Sequence, residues 1–267
     1  MSVQSHLSAT ASKLILTSAE DSSIDTSITT LQTRLRAYFG TNLLAHFMFG
    51  SYTRNTILPR KIDAESDIDY MLVFDNLEGK KPQSFLDRVK KFAETKYLTS
   101  DIYQSYPTIV LELNHIKFEL VPAYKPYSFS SDYNIPNKGY SFDNWINTNP
   151  TSLKNDLVNK NTNNGLLIKP LVRLLKYWNV RQGNIYSSYE IERFTIDNTF
   201  IYTSNIKTIF HEALTDLYNK RWNLPEYKQK KVEAAKSIID NTKKFEDDNM
   251  PITAEAEIKK LIPEYNG

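Results

Sequence analysis

Three acidic side chains and a small-residue turn carry the chemistry open to this sequence. In SDIDYMLVF, residues 66–74, Asp67 and Asp69 stand two apart at the head of an apolar run. Successive side chains of a strand point to opposite faces, so a spacing of two sets both carboxylates on one face. A hard cation such as Mg2+ takes oxygen ligands, commonly one or two carboxylates with substrate phosphates completing the shell. Taken alone, the DID segment reads rather as a solvated turn at the start of a strand. Its neighbours favour the cation.

Upstream, HFMFGS closes a second apolar run, Leu43 to Phe49, with Gly50 and Ser51. Glycine lets a phosphate approach the backbone. If SYTRNT begins a helix, its free N–H groups and the Ser51 hydroxyl face an anion, with Arg54 adding charge. Without the aspartates the same dipeptide reads as an ordinary turn. Downstream, in HIKFELVPAY, Lys117, Glu119 and Val121 alternate with Ile116, Phe118 and Leu120, which leaves one face apolar and the other carrying Glu119. Glu119 is either half of a Lys117–Glu119 surface ladder or a third carboxylate. In the second case the three acids suit a pair of ions roughly 3.5–4 Å apart, and Glu119 helps deprotonate an attacking hydroxyl.

The elements that must position these groups follow from periodicity. The sequence predicts a helix near Ser27 to Tyr38, strands over Leu43–Phe49 and Ile68–Phe74, a helix around Gln83 to Tyr97, and paired strands within Thr108–Val121. A connection bearing Pro, Asn and Gly, residues 122–150, leads into a largely helical second half. There Leu167, Leu171, Leu174, Leu175 and Trp178 give one face of a helix ending near Arg181. The fold class is α+β, divided into residues 1–150 and a helical lobe over 151–267, with a nucleotide cleft expected between them. KKFEDDN, residues 243–249, is expected to lie exposed, and no internal repeat is present.

In this order and spacing, GS, SDIDYMLVF, FELVPAY, YNIPNKGYSFDNWINTNP, LVRLLKYWN and SSYEIER resemble the CD-NTase family, bacterial relatives of cyclic-GMP-AMP synthase and oligoadenylate synthetase. The resemblance covers roughly Leu43 to Phe194. It implies a polymerase-β-like nucleotidyltransferase core, a mixed sheet with flanking helices, plus a helical C-terminal lobe. Gly50 and Ser51 would hold a triphosphate, and Asp67, Asp69 and Glu119 would bind two Mg2+ ions, which Mn2+ could replace. Lys176 would reach the β- or γ-phosphate, Ser188 would touch the triphosphate, and Tyr189 would lie near the donor base. Lys176 also reads as the wet edge of an amphipathic helix and Tyr189 as core packing, and Trp145 and Trp178 read as packing residues rather than base platforms. The family usually carries aspartate where this chain has Glu119, one methylene longer.

Composition fits such an enzyme. A chain of 267 residues with 40% hydrophobic and 12% aromatic content can bury a substantial core. It has no cysteine, which excludes disulfides and zinc-thiolate sites, and its four histidines are scattered. No apolar run approaches the roughly 20 residues of a spanning helix, and MSVQSHLSATASK lacks the basic-then-apolar order of a secretion signal, so no membrane partner and a cytoplasmic location are expected. A formal charge of +2 does not itself demand a nucleic-acid partner. Any basic surface must be local, drawn from Arg54, Arg60, Lys61, Lys169, Arg173 and Lys176.

The implied reaction is template-independent: a hydroxyl attacks the α-phosphorus of an NTP or dNTP and pyrophosphate leaves. The resemblance implies a short oligonucleotide signal in anti-phage defence, read by a separate effector protein. That product is linear RNA or DNA, or a cyclic di- or trinucleotide. In KKLIPEYNG, Tyr265 follows Pro263 on a tail expected to be mobile, and its hydroxyl is a candidate primer. In this the chain also resembles the Hailong-type defence nucleotidyltransferases, which build linear DNA oligomers on a C-terminal tyrosine. Nucleotidylation of a protein or tRNA, and a catalytically silent binding protein, are the other classes.

Overall fold

The structure, a computed structural model, describes residues 2–137, 144–201 and 205–265. In chain order the first part contains α1 (Val3–Lys13), α2 (Ser18–Phe39), β1 (Leu43–Met48), the single turn α3 (Gly50–Thr53), β2 (Asp67–Phe74), α4 (Pro82–Lys96), β3 (Asp101–Ser105), β4 (Thr108–Glu112) and β5 (Lys117–Ala123). It continues with β6 (Tyr133–Pro136), β7 (Trp145–Thr148), α5 (Pro150–Asn163), α6 (Ile168–Arg181), α7 (Ser188–Asp197), α8 (Ile206–Asn219), α9 (Glu226–Asp247) and α10 (Pro251–Leu261). The chain divides into two compact units, one of residues 16–60 and 64–155, the other of residues 1–15, 61–63 and 156–267.

The first unit is built on a five-stranded mixed sheet in the order β1-β2-β5-β4-β3, in which β2 and β5 are parallel and the other pairs antiparallel. Alternation in DIDYMLVF divides the residues of β2 between two cores. Ile68, Tyr70, Leu72 and Phe74 join α2, α4, Phe118 and Leu120 in the main core, while Met71 and Val73 meet Ala123 on the opposite face, under Phe47, Tyr133 and Ile135. The helix α2 starts where Thr17 and Glu20 close a reciprocal cap, and it turns Ile24, Ile28, Leu31, Leu35 and Phe39 inward at helical spacing. It is longer at its start than the sequence predicts, because the Thr17 cap lies ten residues before Ser27.

The connection over 122–150 contains structure that periodicity did not reveal. Tyr133–Pro136 and Trp145–Thr148 form an antiparallel ribbon with Pro136 opposite Trp145. Trp145 packs edge-on against Phe85 and Tyr124, ring centroids 4.9 and 4.8 Å away, so its reading as a packing residue holds. The KGYSFD part of the motif, residues 138–143, lies outside the described residues. Two four-residue strands are too short to show a period, and their pairing with each other is what makes them strands.

In the second unit α6 is central, with α1, α7 and α8 packed against it, while α9 packs on α8 and α10 on α9 and α1. Two expectations are corrected here. The boundary at residue 150 assigned α1 to the sheet, yet α1 packs on α6, α8 and α10, burying Val3, Leu7 and Ala11. Of the tail after α10, the described residues 262–265 are docked rather than mobile: His6 Nε2 lies 2.7 Å from the Ile262 carbonyl oxygen, the Tyr177 hydroxyl donates to the Pro263 carbonyl at 3.4 Å, and Lys259 pairs with Glu264 at 2.7 Å. No helix among the described residues is long and apolar enough to cross a membrane.

Candidate active site

The acidic residues stand where β2 and β5 run side by side. In the parallel register Asp67 lies opposite Lys117 and Asp69 opposite Glu119, so all four share the sheet face that continues into Met71, Val73 and Ala123. Asp67, Asp69 and Glu119 are each half-buried, at the start of their strands, before that face is closed over by Tyr133 and Ile135. The DID spacing and Glu119 are thus brought together as the alternation predicts.

The Gly-Ser turn closes onto the same place. The Phe49 N–H donates to the Asp69 carbonyl at 3.0 Å, which ties the end of β1 to β2 at the acidic residue. Gly50 follows with φ of +74°, and a Cβ there would stand 1.6 Å from Asp69 Oδ2. Glycine is required twice over, by the left-handed backbone and by the carboxylate occupying the space of a side chain. The turn is held by Thr56 N–H donating to the Ser51 carbonyl at 3.0 Å and Thr53 Oγ1 donating to the Gly50 carbonyl at 3.1 Å. The expected helix after Gly50 is one turn only, and Arg54 at its end is buried rather than facing solvent.

One cation on this face went unassigned in the sequence. Lys117 is buried, and its ammonium donates to Glu65 Oε2 at 2.6 Å instead of forming a ladder with Glu119. Glu65, Asp67 and Glu119 together raise its pKa against the opposing effect of burial, which is the largest single influence. Lys117 in turn keeps the Glu65 carboxyl below its usual range.

The oxygen donors suit a hard cation, and the glycine cradle leaves the Asp69 carboxylate room that no other residue would give. Among the described residues no three carboxylate or imidazole side chains converge as they stand on a common metal position. Asp67, Asp69 and Glu119 are aligned by their strands, and sharing an ion would require their side chains to turn toward one another.

The remaining candidates lie in the helical unit. Lys176 is not at a wet edge, because α6 is buried almost all round, and its ammonium donates to Glu192 Oε1 of α7 at 2.6 Å with both side chains buried. Ser188 is exposed in the first turn of α7, and the helix is capped by Ser187, which accepts from the Glu190 N–H and donates to the Glu190 carboxylate. Tyr189 is 60% exposed, which excludes core packing, whereas Trp178 is wholly buried. Tyr265 is half-buried, its ring 6.5 Å from that of Tyr177. Of the suggested basic surface, Arg54, Arg173 and Lys176 are buried, and burial lowers Arg173 to about 10. Glu192 and the Lys117–Glu65 pair carried no signal in the sequence, but the cap did: Ser187 and Glu190 have the S-x-x-E spacing.

A mixed sheet with two aspartates at the start of one strand, a third carboxylate on the next and a Gly-Ser turn closed onto them is a polymerase-β-like nucleotidyltransferase fold. Residues 1–161 match the Second Messenger Oligonucleotide or Dinucleotide Synthetase domain, and the chain belongs to that family, the CD-NTases. A probable cyclic nucleotide synthase of Bacillus cereus (strain VD146) is 24% identical over 217 residues, a match covering 66% of this chain and 63% of that relative. The chain therefore spans less than two thirds of that relative's length. Among solved structures, CdnC of E. coli MS115-1 with ATP superposes with a TM-score of 0.72 at 14% identity over 99% of both chains. The Elizabethkingia meningoseptica CdnE cyclic dinucleotide synthase with GTP and Apcpp gives 0.59 at 20% identity, over 77% of this chain and 81% of the other. Vibrio cholerae DncV with the linear intermediate pppA(3′,5′)pG gives 0.66 at 13% identity, over 82% and 69%.

Proposed function

We propose that the protein is a Mg2+-dependent, template-independent nucleotidyltransferase that joins nucleoside triphosphates into a second-messenger oligonucleotide. The observation that carries this reading is the Gly50 cradle, in which the Gly-Ser turn closes onto the carboxylate of Asp69, one of three carboxylates aligned on β2 and β5. Asp67, Asp69 and Glu119 would hold the metal, which when bound supplies Lewis-acid activation of the α-phosphate and of the attacking hydroxyl. Gly50 and Ser51 hold the triphosphate through backbone and hydroxyl donors. Glu119 would accept the proton of the attacking hydroxyl. The family resemblance implies phosphate contacts for Lys176 and Ser188 and a base contact for Tyr189; within its own helical unit Lys176 is held by Glu192. Catalysis is positioning and electrostatics, with pyrophosphate as leaving group.

The product favoured is cyclic, supported by the probable cyclic nucleotide synthase among the relatives. Its purpose would be anti-phage signalling through a separate effector, in the cytoplasm. A linear product primed on Tyr265 is the second reading, and the docking of Tyr265 beside Tyr177 weighs against a freely reaching primer. The test is incubation of the purified chain with each labelled NTP and dNTP and Mg2+ or Mn2+. A small phosphatase-resistant product is expected, lost at least about a thousandfold in Asp67→Asn and Asp69→Asn, equivalent to about 4 kcal/mol of barrier. A ladder abolished by Tyr265→Phe would replace the cyclic reading with the linear one, and label on a protein or tRNA would replace both.

A further inference from the structure

The acidic face holds more charge than the three catalytic candidates account for. Glu65 precedes Asp67 by two residues, and its segment is pinned on both sides. Arg60 Nη2 donates to the Ala64 carbonyl at 2.9 Å and also to Glu112 at 2.7 Å, while Ser66 Oγ donates to the Leu58 carbonyl at 2.7 Å. The Glu65 side chain itself is 76% exposed, yet it reaches inward to an ammonium whose side chain is only 7% exposed. Lys117 is the register partner of Asp67 and lies two residues before Glu119 on the same face. A buried lysine whose ammonium meets Glu65 and feels the charges of Asp67 and Glu119 supplies positive charge that a divalent ion would otherwise bring.

We propose that Lys117 is the resident counter-ion of the acidic face, tethered by Glu65, and that an entering divalent cation must compete with it. The pair would set the cation concentration at which the site fills. This rests on the reading of Asp67, Asp69 and Glu119 as a metal site. Two consequences have opposite signs. Without the ammonium the carboxylates repel one another and attract a divalent ion more strongly. Without the tether, Lys117 turns to Asp67 and Glu119 and excludes the ion more effectively. Glu65 thus acts through Lys117 as a positioning residue.

The measurement is Mn2+ binding to the nucleotide-free protein, followed by the electron paramagnetic resonance of unbound Mn2+, with thermal melting in EDTA to confirm folding. Lys117→Met is expected to bind Mn2+ about three- to tenfold more tightly than wild type, and Glu65→Gln more weakly by a similar factor. On the Lys117→Met background the Glu65→Gln change is expected to shrink to within about twofold, since its agent is gone. If Lys117→Met does not fold, Lys117→Gln is substituted and must also bind more tightly. Unchanged or weaker binding in the folded Lys117 variant overturns the proposal, as does an undiminished Glu65→Gln effect on that background or no Mn2+ uptake by any form. The underlying site reading is tested separately by Asp69→Asn: binding that survives it in every background overturns the site assignment, whereas lost binding and turnover retain the site whatever Lys117 does.

Discussion

At the scale of single residues, the site depends on one atom being absent. A methyl group at Gly50 would occupy the position of the Asp69 carboxylate, and the φ of +74° would strain it further. Gly50→Ala is expected to cost about 1–3 kcal/mol in denaturant unfolding and to abolish turnover by displacing Asp69, whereas Ser51→Ala should leave stability within about 0.5 kcal/mol and raise the KM for triphosphate. Equal loss of stability in both variants would show that the turn is merely structural. Asp67 and Asp69 were legible because strand alternation is local. The Lys117 to Glu65 pair was not, because its partners are 52 residues apart and meet only when the segment before β2 folds beside β5.

Among elements, α6 and α7 show how a buried charge ties helices together. The Lys176–Glu192 pair is nearly inaccessible, so removing one partner leaves the other charged and buried. Glu192→Leu alone is expected to cost about 3–5 kcal/mol, while Lys176→Met with Glu192→Leu should come close to wild-type stability, read by urea unfolding. Triphosphate affinity should remain low in the double variant, because the ammonium is gone; unchanged affinity would make Lys176 a staple and nothing more. The two serines at the start of α7 separate in the same way. Ser187→Ala removes the cap and should cost about 1 kcal/mol, and Ser188→Ala should spare stability and raise the KM for triphosphate. The elements the sequence revealed were those with a sustained period, such as α6, β2 and β5. The short strands β3, β6 and β7 gain their identity from pairing, and the burial of α6 on nearly every side was hidden by the polar residues Arg173, Lys176 and Asn179, which find partners inside.

Across the whole molecule, stability should depend on pH through His211. Its ring on α8 is buried, its Nε2 has no hydrogen-bond partner among the described residues, and burial, with Lys243 and Lys207 opposing protonation and Asp240 favouring it, pushes its pKa down to about 3. The unfolded chain, with a value near 6.5, takes the proton first. The neutral ring's contribution is therefore complete above pH 6.5 and is lost as pH falls toward 3, by about 2 kcal/mol at pH 5. Unfolding free energies at pH 7.5 and 5 should differ by that much more in wild type than in His211→Leu; equal differences would remove His211 as the cause. The sequence by itself determined the α+β class, the two strands that carry carboxylates and the turn ahead of them, because alternation and glycine are properties of neighbouring residues. Tertiary structure alone decided that α1 belongs with the helical unit, that residues 262–265 are docked, that Lys176 faces Glu192, and that the Lys117 ammonium meets Glu65. Each of these is a contact between distant segments, and the free energy that selects it exists only once both surfaces are present.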